Sequence, residues 1–238
     1  MPIPKRIDTD PIIEAIVEIR FETSVPSSAA FGLIYNEIKD LFTGTPVALP
    51  LNQLPEYLRE NDPNLKYQPI YRIDASRFVF QVGPRMIGFV CKDPYVGWDQ
   101  FWVIIKDAFH KVAKSTFIQH FDRIGIRYVN FFKENLLELA DVKFLINGNP
   151  PDAVSTQIRC EIEEEDFIHI IYIAGPSLIK GKENVGKGWI LDIDTSCTKQ
   201  LTNPEDVLAL IFKGHQLEKE RFFLMIGESI IKARNPEF

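Results

Sequence analysis

Apolar and polar positions alternate from the start of the chain. In PIIEAIVEIRFE, Ile13, Ala15, Val17, Ile19 and Phe21 fall on one side of an extended backbone, and Glu14, Glu18, Arg20 and Glu22 fall on the other. Alternation with period two predicts a half-buried strand with one polar face. The period then changes. After a Ser- and Pro-containing stretch, Phe31, Ile34, Ile38, Leu41 and Phe42 recur at helical spacing and predict a helix near 27–42. Prolines 46, 50, 55 and 63 predict a long loop over 43–66, with a turn of helix around Leu54–Arg59. Three strands are expected over 67–75, 77–83 and 86–92, joined by the short links DASR and GPRM. Pro84 suits a turn corner because its φ is already set for one. Trp98, Phe101, Trp102, Ile105, Phe109 and Val112 form the stripe of a helix over 98–114, which Gly97 precedes.

The second half repeats this order in outline. RIGIRYVNFF (123–132) predicts a strand, followed by a short helical piece around Glu134–Ala140. TQIRCEIEEED and FIHIIYIAG predict a hairpin turning at Glu164–Asp166, and KGWILDIDTS predicts a further strand. Pro204 opens a helix over 204–232, with Leu208, Ile211, Phe212, His215, Phe222, Ile226 and Ile230 on its apolar stripe and Gly214 and Gly227 as possible bends. FVFQVGPRMIGF and IIYIAGPSLIKG both carry a Gly-Pro, at Gly83-Pro84 and Gly175-Pro176. The expected fold is therefore α+β: two layers, a largely antiparallel sheet with the long helices on one face. The chain forms one domain over 1–238, with a candidate duplicated β-α-β-β-β-α unit at about 11–118 and 119–238.

If the helices cover the apolar face, alternation assigns the other face. It carries Glu14, Glu18, Arg20, Arg72, Asp74, Arg77, Gln81, Arg123, Arg127, Arg159, Glu161, Glu163, Asp192 and Asp194. Two interpretations stand. Mixed acids and arginines on neighbouring strands form solvated ion pairs of little energetic weight. Alternatively, Arg20, Arg72, Arg123, Arg127 and Arg159 bind an anionic ligand or a partner's acidic segment, since guanidinium is a permanently charged fork that matches carboxylate and phosphate.

Charge and composition narrow the partners. A formal charge of −6 opposes non-specific attraction to nucleic acid or to an anionic membrane. Cys91, Cys160 and Cys197 form no C-x-x-C, so they are expected as reduced thiols rather than as a disulfide framework or zinc site. The first residues lack the charged start and apolar run of a signal peptide, and no apolar stretch reaches bilayer length. A soluble, cytoplasmic protein is expected.

Catalytic patterns are weak. Glu161, Glu163, Asp192 and Asp194 would suit Mg²⁺ or Mn²⁺ if their strands were neighbours. His110, His120, His169 and His215 stand in no H-E-x-x-H or H-x-H pattern and are expected as packed or capping residues. SLIKGKENVGKGW resembles a phosphate loop only superficially, because Lys187 is followed by Gly188 and a strand; a hairpin loop whose lysines, Lys180, Lys182 and Lys187 with the later Lys199, touch an acidic partner is the simpler expectation. No cofactor is implied.

PIIEAIVEIRF, QVGPRMIGFVCKDPYVGWDQF and RIGIRYVN occur in that order, with LDID at Leu191–Asp194 after them. Together they resemble a sporadically distributed prokaryotic protein family of unknown function. Its members begin with a Pro-Ile-x-Glu-Ala strand, continue through a Val-Gly-Pro corner and a Tyr-x-Gly-Trp helix entry, and then show an Ile-Gly-hydrophobic-Arg-Tyr strand. The resemblance implies a stand-alone, single-domain protein of patchy occurrence, and it brings no activity, cofactor or catalytic residue with it. The functional expectation is a non-enzymatic binding or interaction module. Its partner would be a second copy of itself, as a homodimer, or another protein. The alternative is a metal-dependent enzyme acting on phosphoesters through the acidic strand residues.

Overall fold

The computed structural model describes residues 3–8, 10–139, 145–149, 155–178 and 187–238. The strands are β1 (Ile12–Thr23), β2 (Val47–Ala48), β3 (Tyr71–Ala75), β4 (Phe78–Gly83), β5 (Met86–Lys92), β6 (Ile118–Phe132), β7 (Thr156–Glu164), β8 (Phe167–Leu178) and β9 (Lys187–Leu201). The helices are α1 (Ser27–Ile38), α2 (Glu56–Asn61), α3 (Trp98–Ala113), α4 (Leu136–Leu139) and α5 (Pro204–Ala233), with a 3-10 turn at Pro50–Gln53. All strands join one antiparallel sheet in the order β2-β3-β4-β5-β1-β6-β9-β8-β7. The order runs outward in mirrored fashion from the central β1–β6 pair. No helix among the described residues is long and apolar enough to cross a membrane.

Register explains which side chains go inward. Ile73, Phe80, Phe89, Val17, Ile126, Thr195, His169 and Ile162 lie opposite one another, strand by strand, from β3 to β7. Facing residues in an antiparallel sheet share a face. This row therefore belongs to the inner face, where Ala15, Val17, Ile19 and Phe21 pack with Ile34 and Ile38 of α1, Phe101, Ile105 and Phe109 of α3, and Val207, Leu208 and Ile211 of α5. A second cluster sits under the far half of α5, joining Phe222, Phe223 and Ile226 to Ile171, Ile173, Leu191 and Ile193. The expected α+β class and antiparallel sheet are present.

Several sequence expectations shift in detail. α1 ends at Ile38 rather than at residue 42, though Phe42 is still buried in the main cluster. The strands β6 and β9 extend well past the runs that suggested them, to Ile118 and to Leu201. Of the two glycines in α5, only Gly227 breaks helical geometry, with φ 72°. Gly214 serves packing: a Cβ there would lie 2.6 Å from Ile126 Cδ1. The two Gly-Pro pairs also differ. Gly83 ends β4 and Pro84 sits in the β4–β5 turn, but Gly175-Pro176 lies inside β8, where the register against β9 shifts between Ala174 and Ser177. The expectations for Ala140, Lys180 and Lys182 fall outside the described residues, and Lys187 opens β9.

Candidate functional site

Two regions collect polar chemistry: the outer face of the sheet, and a cavity beside α5. On the outer face, Glu18 is the hub. Its Oε1 accepts from Arg20 Nε at 2.6 Å and from Arg123 Nη1 at 2.8 Å, and Arg123 Nη2 lies 3.6 Å from Asp194. Gly125 leaves room for this arrangement, because a Cβ there would meet Arg123 Nη1 at 2.9 Å. Burial raises the Asp194 carboxyl, against the opposing pull of Arg123. Arg127 forms a two-pronged pair with Asp192, with Nε to Oδ1 at 2.8 Å and Nη2 to Oδ2 at 2.5 Å. Hydrogen bonding to Asp192 holds the Arg127 pKa up. Farther out, Arg72 lies 3.5 Å from Asp74, and Arg159 pairs with Glu161 two residues along its own strand.

All five arginines expected to bind an anion therefore already face a carboxylate. The four acidic residues considered for a metal are spread over two strands that are not neighbours. Glu161 and Glu163 lie on β7 and Asp192 and Asp194 on β9, with β8 between them. Glu161 faces Ile170, which in turn faces Asp194. Two strand spacings separate them, about 9–10 Å at the backbone. Among the described residues, no three His, Cys, Asp or Glu side chains are grouped to hold a metal ion.

The cavity is built differently. It encloses about 820 Å³ between the N-terminal arm, the β5–α3 loop, the inner face of β6 and one side of α5. Chain geometry explains how each element supplies its part. The arm is held by the far end of the chain: Lys5 N donates to Glu237 O at 2.6 Å and Asp8 N to Arg234 O at 2.7 Å. Gly97, with φ 89°, caps α3 in the left-handed region that only glycine enters without strain, and it aims Tyr95 and Trp98 inward on either side. On β6, Tyr128 and Asn130 are two residues apart and so share the inner face. On α5, His215, Glu218, Lys219 and Phe222 follow at spacings of three and four and form one wall.

Hydrogen bonds tie these walls together. Tyr95 Oη lies 3.1 Å from Tyr128 Oη, which lies 3.1 Å from His215 Nδ1. Burial pushes both phenols up, and it drives the His215 imidazole down to about 3. All three groups are thus neutral near pH 7. The His215 ring stacks on Trp98, with centroids 3.7 Å apart and planes 9° from parallel, and Trp98 stacks in turn on Trp102. Glu218 is 3% exposed, and burial raises its carboxyl well above the ordinary range. Burial also lowers the Lys219 ammonium. Asn130 Nδ2 donates to Leu191 O at 3.1 Å. Among the described residues, three buried atoms of residues that line the cavity have no hydrogen-bond partner: Trp98 Nε1, Asn130 Oδ1 and Glu218 Oε1.

Sequence reasoning placed His215 and Trp98 on apolar stripes as packing residues, and it did not single out Tyr95, Tyr128, Asn130 or Glu218. One signal was present. Glu218 stands between His215 and Phe222 in the phase of the apolar stripe of α5, where an acid has no reason to be unless the wall beneath it is polar. The other histidines have partners elsewhere: His110 Nε2 pairs with Glu205 Oε1 at 2.9 Å, His120 with Asp122 at 3.0 Å, and buried His169 Nδ1 with Thr195 Oγ1 at 2.8 Å, while His169 Nε2 has no hydrogen-bond partner among the described residues. No protein-family model matches this chain, and comparison with curated proteins finds no match.

Proposed function

We propose that this protein is a non-enzymatic binding module that holds a small, flat, uncharged molecule in the cavity beside α5. One observation carries the proposal: Trp98, Asn130 and Glu218 all line a single cavity, and each keeps a buried side-chain atom (Nε1, Oδ1 and Oε1) without a hydrogen-bond partner among the described residues. Each such atom costs about 1–3 kcal/mol when left unpaired, and folded proteins keep few of them. A volume of about 820 Å³ lies within the range of ligand sites. The wall also selects for charge. Burial favours the neutral form of Glu218, which both donates and accepts, while Asn130 Oδ1 accepts and Trp98 Nε1 donates. His215, Tyr95 and Tyr128 are neutral as well, so hydrogen bonding rather than ion pairing dominates the part of the wall they form, with Lys219 as the nearest charged side chain on α5.

Nicotinamide, benzamide and adenine are suitable probes, being flat, uncharged and able to donate and accept. Saturable quenching of tryptophan emission and a raised Tm are expected with at least one of them, and both effects are lost in Glu218→Leu. If none of the three changes emission or Tm at millimolar concentration, this assignment of the cavity fails.

The outer sheet face supports its own expected roles more weakly. Anion recognition by Arg20, Arg72, Arg123, Arg127 and Arg159 would have to displace an existing carboxylate at every arginine. Phosphoester chemistry at Glu161, Glu163, Asp192 and Asp194 would need carboxylates from non-neighbouring strands to converge. The mirrored strand order favours descent from a duplicated β-α-β-β-β-α unit, with β1 and β6 as the corresponding first strands.

A further inference from the structure

The two edges of the sheet are unlike. One edge is β2, only two residues long, and so offers almost nothing to pair with. The other is β7, nine residues long, and among the described residues no strand pairs with its outer side. A long open edge carries a row of unpaired N–H and C=O groups and is a template for another strand.

The geometry points to a second copy of this chain as the occupant of that edge, paired antiparallel about Cys160. The backbone fixes which registers are allowed. β7 and β8 are joined by the two-residue turn Glu165-Asp166, with Glu164 facing Phe167. In such a hairpin the residues beside the turn bond to each other, so the backbone groups of Gln157, Arg159, Glu161 and Glu163 point away from β8. An added antiparallel strand must pair these positions with one another. Three central registers satisfy that rule. Centring on Arg159 sets it against the partner's Arg159, and centring on Glu161 sets it against the partner's Glu161. Centring on Cys160 instead sets Arg159 against the partner's Glu161, Gln157 against the partner's Glu163, and Ile158 against the partner's Ile162. Opposite charges facing across strands stabilise and like charges destabilise, so one register of the three is favoured.

The surroundings fit a second copy. Ile158 and Ile162 are half-buried against the second apolar cluster, and pairing would extend that cluster across the two-fold axis. Arg221 of α5 pairs with Glu164 of β7. Three residues farther along the same side of the helix, Leu224 is 67% exposed, an apolar side chain on the flank where the partner would lie. The result is a continuous sheet through two copies, held by about eight backbone hydrogen bonds. This interface does not depend on the cavity proposal.

Charge reversal tests it. The full-length protein is expected to be a dimer by light scattering at micromolar concentration. R159E and E161R should each weaken self-association about tenfold or more, because every copy then meets like charge twice. The double variant R159E/E161R, with the pairs exchanged, should restore it. Cys160 supplies an independent readout. At the two-fold axis it faces the partner's Cys160 in a non-hydrogen-bonded pair, about 4.5 Å apart at Cα, which is within disulfide range. Diamide, which takes up the two thiol hydrogens, should join the copies covalently in the wild type and not in C160S, while C160S remains dimeric. A monomer at high concentration, a double variant no better than the single ones, or a diamide dimer that persists in C160S would overturn the assignment.

Discussion

The outer sheet face and the cavity wall are made from the same kinds of residue, and they solve the problem of polarity in opposite ways. On the face, Arg20, Arg123 and Arg127 reach the carboxylates of Glu18, Asp194 and Asp192 within their own and neighbouring strands. Charge there is local, paired and near water. On the wall, burial keeps His215, Tyr95 and Tyr128 neutral and raises the Glu218 carboxyl, and among the described residues atoms of Trp98, Asn130 and Glu218 have no hydrogen-bond partner. A surface of paired charges can be energetically complete, while a buried polar wall remains chemically open.

The sharpest break in this comparison should come with acid. His215 is neutral when folded and takes a proton in the unfolded chain below its ordinary pKa of about 6.5. Its depressed folded value means that stability is full above about pH 6.5 and is lost as pH falls toward about 3. The loss reaches up to about 5 kcal/mol at the low end. Denaturant titrations from pH 7 to pH 3.5 should show this slope, and His215→Gln should flatten it.

Glu218 gives the opposite sign. Its folded pKa is raised, so its contribution favours folding at low pH and is lost as pH rises above the unfolded value of about 4.3. Replacing an unpaired buried acid with an apolar side chain of similar size should therefore stabilise the protein at pH 7.5. About 1–3 kcal/mol is expected for Glu218→Leu by chemical denaturation. A gain in stability joined to loss of probe binding would mark a residue retained for function.

The outer face should respond least. Arg123→Ala removes contacts to both Glu18 and Asp194 from a largely covered side chain and should cost about 1 kcal/mol. Arg72→Ala removes one exposed pair and should cost less than about 0.5 kcal/mol, an effect that vanishes in 1 M salt. If Arg72→Ala changed stability by as much as Glu218→Leu, in either direction, the contrast between the two regions would collapse.

The sheet face was largely legible in the sequence and the cavity was not, for a physical reason. Alternation in PIIEAIVEIRFE reports which side of a strand each residue occupies, and the register puts Glu18, Arg20, Arg123, Asp192 and Asp194 on the expected face. Helical spacing likewise marked α3 and α5 to within about a residue or two. Periodicity carries no information about neighbours, however, so the separation of β7 from β9 by β8 could not be foreseen. Nor could it show that residues 5, 95, 128, 218 and 237 meet. Only Glu218, an acid in the phase of an apolar stripe, broke a local rule visibly enough to point at the wall.

The pairing of Arg6 with Glu237 ties the rim of the cavity to the residues that follow α5. Fraying of those residues would release the arm as well, so two segments far apart in sequence should lose protection from amide exchange together.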